Sequence, residues 1–290
     1  MSKRPDLFGI LCLVLAVAGW GLNWPALKLL LQEVPPLTGR GYACLAVAGT
    51  LFAIARLRGV SLAVPAGEWK RLVPISLLNI TAWNGTSVFG LNWLSASEGT
   101  IIAYSVPLYA ALLAWPVLGE KPTARRLLAL AIGIGGIIVL MAGHGLDIGI
   151  GKLPGVAIIT SGSVLFALGT VLTKRAPLPL APLPAVMWQV AIGGAPLLLL
   201  SWLLESPDWA AMSARSWGFL AYMAIGPLCL CYFAWFAALK RMPASVASIG
   251  TLLAPVVGVT AAAVFLGEPL GARELAALAM TLGGVALAIR

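Results

Sequence analysis

A chain of 290 residues that is 60% hydrophobic and only 10% charged does not fit a soluble domain, in which about a quarter of residues are charged. Its net charge of +9 does not signal nucleic-acid binding, because the basic residues sit at the ends of apolar stretches rather than along one face. Both facts suit an all-α membrane protein held in a lipid bilayer.

Ten apolar stretches are predicted as helices over 7–31, 38–57, 72–93, 97–118, 124–143, 153–174, 183–204, 216–238, 244–266 and 271–289. Each has roughly the 17–25 residues needed to cross a hydrocarbon core of about 30 Å. The first carries Trp20, Asn23 and Trp24 just before Pro25. Ala16-Val17-Ala18 within it imitates a signal-peptidase site behind Lys3 and Arg4, but the apolar run continues to Leu31 and is read as a retained span. The third carries Ser76, Asn79, Trp83, Thr86, Ser87 and Gly90 at helical spacing. That polar and small stripe is expected to face protein or water, since Asn79 facing lipid would lack a hydrogen-bond partner. The fourth has Tyr104, Ser105 and Tyr109 around Pro107, and the eighth has Tyr232 and Trp235. Connections are short; residues 142–153 form the expected hinge between halves, and a Pro-rich stretch at 176–184 joins the sixth and seventh spans.

Residues 96–142 laid over 244–290 match without a gap at 16 of 47 positions, including Pro107/Pro255, Leu-Gly-Glu 118–120/266–268 and Gly135-Gly136/Gly283-Gly284. The constant offset of 148 divides the chain into 1–143 and 144–290. Five spans per half, an odd number, force the second copy to enter the bilayer upside down, the architecture of secondary transporters. With the N-terminus in the cytoplasm, inner segments carry fourteen Lys and Arg and outer segments five (Lys28, Arg40, Lys152, Arg215 and Arg273), as the positive-inside rule requires. Equivalent positions also change charge with side: Lys121 and Arg126 correspond to Pro269 and Glu274.

No enzymatic constellation is present, and no catalytic residue, cofactor or metal site is expected. Cys12, Cys44, Cys229 and Cys231 lie in apolar segments without metal-ligand spacing, and the one histidine, His144, falls in a Gly-rich turn. Gly133-Ile-Gly135-Gly136 follows a span-forming helix rather than a strand, so close helix approach explains it better than a dinucleotide fingerprint. All ten acidic residues lie at or near span ends. Glu98 is expected to cap the fourth span, and Glu120 and Glu268 to hold neighbouring helices. No Lys or Arg is expected at mid-span except Lys28 near the outer end, which weighs against phosphorylated substrates.

Trp20-Gly21, Ser95-Ala96-Ser97 and Pro243-Ala244-Ser245, the central prolines and the two Leu-Gly-Glu ends resemble the EamA repeats of the drug/metabolite transporter superfamily over almost the whole chain. Within it the chain is most similar to bacterial inner-membrane exporters of aromatic amino acids and related metabolites. The resemblance implies a ten-helix bundle with both termini cytoplasmic and a central cavity lined mainly by the first, third, fourth, sixth, eighth and ninth helices. Small multidrug relatives use a membrane-embedded glutamate in their first helix, and nothing acidic lies between Leu7 and Leu31 here. The expected function is export of aromatic and other neutral amino acids by a monomer working by alternating access without ion coupling. The alternative is a proton-coupled multidrug or organic-cation exporter. Expected substrate-binding residues are Asn23, Trp24, Asn79, Trp83, Ser87, Tyr104, Tyr232 and Trp235. The amides would bind the amino-acid backbone, and the aromatic rings would stack on the side chain or the ammonium group.

Overall fold

The computed structural model describes residues 7–121, 123–141, 150–239, 241 and 250–289. His144, Pro243, Ala244 and Ser245 lie outside them. The described spans are α1 (Leu7–Leu30), α2 (Pro36–Leu57), α3 (Trp69–Ser76, Leu77–Ala82 and Trp83–Gly90, unbroken), α4 (Ala96–Ala103 and Val106–Leu118) and α5 (Ala124–Met141). The second half repeats the series with α6 (Leu153–Arg175), α7 (Pro182–Leu204), α8 (Ala214–Ile225, Gly226–Leu230 and Cys231–Leu239, unbroken), α9 (Leu253–Leu266) and α10 (Ala272–Ile289). The chain is an all-α membrane protein of ten helices in two inverted five-helix repeats.

Irregular backbone recurs at equivalent depths. The middle segments of α3 (77–82) and α8 (226–230) are both π-helical, and adding 148 to 77–82 covers 225–230. In α8 the cause is Pro227, which has no N–H to offer the Met223 carbonyl. In α3, side chains collect backbone carbonyls: Asn84 Nδ2 donates to Ile80 O at 2.8 Å, Thr86 Oγ1 to Ala82 O at 2.7 Å and Ser87 Oγ to Trp83 O at 2.6 Å. The α4 helix breaks at Tyr104–Ser105, where Pro107 leaves the Ala103 carbonyl without its helical donor. A turn at Leu252 stands at the equivalent place before Pro255. The two Leu-Gly-Glu runs end α4 and α9 through Gly119 (φ 76°) and Gly267 (φ 66°), left-handed C-caps that a side chain would strain.

Packing obeys the same exchange of halves. Helix α2 packs on α7 and α5 on α10, while α1 lies against α8 and α9 just as α6 lies against α3 and α4. A Cβ added at Gly136 would come within 2.9 Å of the Ala277 carbonyl, and one at Gly284 within 2.7 Å of the Ala129 carbonyl. Residues 129 and 277, like 136 and 284, are 148 apart, so this is one contact made twice with the halves exchanged, as a two-fold relation demands. Close approach through small residues is the use the repeated Gly-Gly pairs have here.

Candidate functional site

Aromatic rings from α1, α3, α6 and α8 converge inside the bundle. The Trp24 and Trp83 rings meet edge-on with centroids 6.4 Å apart, and Trp83 tilts against Phe166 at 5.0 Å. Trp20 tilts against Trp235 at 5.9 Å, and its indole N–H donates to the Pro227 carbonyl inside the π segment at 3.0 Å. Edge-on and tilted geometries are those in which ring quadrupoles attract.

Two of the expected site residues, Trp24 and Trp83, are therefore in contact, and Tyr104 packs on the core cluster that also holds Trp24. Trp235 belongs to the neighbouring cluster with Trp20 and Cys231. Asn23 precedes Trp24 on α1, and its Oδ1 is buried with no hydrogen-bond partner. Asn79 donates from Nδ2 to Gln189 Oε1 of α7 at 3.3 Å, while its Oδ1, also buried without a partner, lies against Gly169 of α6. Ser87 is only 3% exposed, with its hydroxyl on the Trp83 carbonyl. Tyr232 lies on α8, and its side chain is outside the described residues.

The α3 stripe does face the protein, though much of it serves as a joint with α6. Asn79 lies against Gly169, Trp83 against Phe166, Thr86 against Gly162 and Gly90 against Gly155 and Ile159. Ser76, by contrast, presents its carbonyl to Gly193 of α7. The π turn explains the division, since its wider winding rotates the later residues relative to those before it.

At the Lys/Arg-poor end of the bundle, carboxylates cap helices of the other half. Glu268 accepts from Ala96 N (2.6 Å), Ser97 N (2.9 Å) and Ser97 Oγ (2.6 Å) at the start of α4. Glu205 accepts from Leu37 N (3.0 Å), Thr38 N (2.7 Å) and Thr38 Oγ1 (2.7 Å) at the start of α2. Glu33 accepts from Ser213 N (2.8 Å) and Ser213 Oγ (2.9 Å) at the start of α8, and that backbone N–H is the main reason its carboxyl titrates below the usual range. Helix starts carry unpaired N–H groups and positive dipole ends, so each carboxylate satisfies both. Glu98 forms a capping box with Ser95 and pairs with Lys152 at 2.7 Å. Lys28 donates to the carbonyls of Leu91 and Leu94 where α3 ends.

At the Lys/Arg-rich end, Glu120 takes Lys174 at 2.8 Å and Arg126 at 3.6 Å in an exposed group. The hydrogen bond and charge of Lys174 hold its carboxyl below the ordinary value.

Several residues were not legible as part of this site. Gln189 and Phe166 lie on helices with no local polar or aromatic periodicity to flag them. Arg40, placed by sequence among the outer charges, is turned into the bundle and only 7% exposed. Its position near a span end hid the reach of a long side chain that crosses to Met223 of α8.

The sequence pattern of the EamA-like transporter family matches twice, over residues 7–142 and 153–290. The chain belongs to the EamA-like transporter family. Among relatives, "Uncharacterized transporter YvbV" of Bacillus subtilis (strain 168) is 29% identical over 99% of this chain and 93% of its own length. The "Probable amino-acid metabolite efflux pump" of Salmonella typhimurium is 28% identical over 98% of this chain and 94% of its own. A crystal structure 21% identical in sequence covers 96% of this chain and 98% of its own with a TM-score of 0.67, which establishes the shared fold. Like the rest of the EamA-like family, this chain is a multi-pass membrane transporter rather than an enzyme, with a small-molecule substrate and lipid around it.

Proposed function

We propose that this EamA-family transporter exports aromatic and other neutral amino acids across a bacterial inner membrane by alternating access, as a monomer with both termini in the cytoplasm. The observation that carries the reading is the pair of buried, unpartnered amide oxygens, Asn23 Oδ1 and Asn79 Oδ1, on the two helices whose Trp24 and Trp83 rings touch. A buried acceptor without a donor is costly, and an ammonium group supplies that donor while a ring face attracts the same charge. Trp24, Trp83, Tyr104, Tyr232 and Trp235 would hold the side chain, and Ser87 would support the α3 wall.

Uncoupled transport is supported by where the acids go. Glu33, Glu98, Glu120, Glu205 and Glu268 are engaged as helix caps or ion pairs at the two ends of the bundle. With the Lys/Arg-poor end taken as the outer one, the caps of Glu33, Glu205 and Glu268 tie the two halves together on that side.

The test is counterflow of labelled phenylalanine, threonine and methionine into liposomes preloaded with unlabelled amino acids and free of ion gradients. Accumulation in the wild type, with loss in Asn79→Ala and Trp83→Ala at unchanged protein levels, is the expected result. Transport unaffected in both variants would remove this site. Accumulation that requires an imposed pH gradient would instead favour the proton-coupled exporter.

A further inference from the structure

We propose that Arg40 receives the carboxylate of the substrate. This rests on the transport reading above and adds a charged residue to what would otherwise be a neutral site.

Arg40 is the fifth residue of α2, and its guanidinium runs inward to Met223 of α8, where Nη1 reaches Sδ at 3.7 Å. Met223 lies nine residues into α8, counted from Ala214, which at 1.5 Å per residue is about 14 Å along the helix. By the same rise Arg40 itself starts only about 6 Å into α2, so the cation is held inside the bundle below its Lys/Arg-poor end rather than at the surface. Met223 belongs to the same buried cluster as Trp24, Leu27, Ala43 and Val88. The guanidinium is thus built into the wall between the aromatic site and the capped end.

Among the described residues, no anion meets it. Its Nε is buried with no hydrogen-bond partner, and the thioether of Met223 is a weak acceptor. The nearby carboxylate of Glu205 is occupied by the Leu37 and Thr38 amides and the Thr38 hydroxyl. The titratable groups beside Arg40, Cys44 and Tyr222, are neutral donors rather than counter-charges. The Tyr222 hydroxyl is itself committed to the Gly19 carbonyl.

A buried cation without a partner is expensive and marks function rather than stability. A guanidinium fork matches a carboxylate, which it can bind through two parallel hydrogen bonds. A cavity of about 570 Å³ lies on the other side of Tyr222, lined also by Leu22, Pro25, Arg215 and Phe219 and, from α9, by Phe265. An amino acid bound between Arg40 and the Asn23/Asn79 oxygens would have its carboxylate and ammonium each met by the opposite polarity.

The experiment compares purified wild-type and Arg40→Gln protein by thermal shift with phenylalanine, phenylalanine amide and 3-phenylpropionate, and by counterflow of labelled phenylalanine. The wild type should bind phenylalanine at least tenfold more tightly than its amide. Arg40→Gln should melt at or above the wild-type temperature without ligand, and bind both carboxylates on the order of ten- to a hundredfold more weakly. Arg40→Lys, which keeps the charge but not the fork, should fall between them. Equal binding of phenylalanine and its amide by the wild type, a comparison that needs no variant, would overturn the proposal. So would unchanged counterflow in Arg40→Gln, and that result would leave the amino-acid reading standing. Arg40-dependent protection by 3-phenylpropionate alone would do the reverse, keeping the carboxylate site and removing the amino acid.

Discussion

Glu120 and Glu268 occupy the same position of the repeat and live in different surroundings. Glu268 closes over the start of α4, taking two backbone amides and a hydroxyl. Glu120 lies in an exposed trio with Lys174 and Arg126. Identical residues at the ends of equivalent helices have become a helix cap at one end of the bundle and a solvated ion pair at the other. Two inverted repeats can be alike in sequence and still be caught in unlike conformations, and alternating access requires that capacity.

The most disruptive way to probe this comparison is to strike where the halves are still equivalent. Gly136→Val and Gly284→Val each drive a side chain into a backbone carbonyl of the partner helix, at a cost of about 1–3 kcal/mol for overpacking. The two should lower the melting temperature in detergent equally; a large difference would mean that the α5–α10 contact is not two-fold.

Next comes the position where the halves differ. Glu268→Ala strips the cap from α4 and should cost about 1 kcal/mol, with a cysteine placed at Ser97 becoming labelled by a water-soluble maleimide. Glu120→Ala should move the melting temperature less, because exposed ion pairs contribute little. Equal effects would erase the distinction between the ends.

The smallest effect should be acid sensitivity of the capped end. The Glu33 carboxyl titrates below its ordinary value because Ser213 donates to it. Its contribution is therefore complete above the unfolded carboxylate pKa, and is lost as pH falls through the lowered folded value. Melting temperature should drop over that acid window in the wild type, and less steeply in Glu33→Gln; superimposable pH profiles would show that the cap is not formed in solution.

Much of the fold was legible because its signals are local. Span length and the Lys and Arg bias each act within one helix or one connection, so ten helices could be read directly, and the central prolines marked where α4 departs from regular winding without saying how. Glu98 as a cap was legible for the same reason, since the Ser95–Glu98 box spans three residues. The candidate site was legible only in part. Helical spacing singled out Asn79 and Trp83, but it could not tell that the π segment would turn their face toward the glycines of α6.

What the sequence by itself determined is the membrane, the inverted repeat and the family, because apolar length and internal homology do not depend on which helix meets which. What only the tertiary structure decided is the pairing across the bundle: Trp24 with Trp83, Asn79 with Gln189, and Glu205 and Glu268 with helix starts more than 160 residues away. Arg40 is the sharpest case. Its number places it near a span end, but its side chain is several ångströms long, and only the packing of α2 on α8 decides whether that length is spent reaching water or the core.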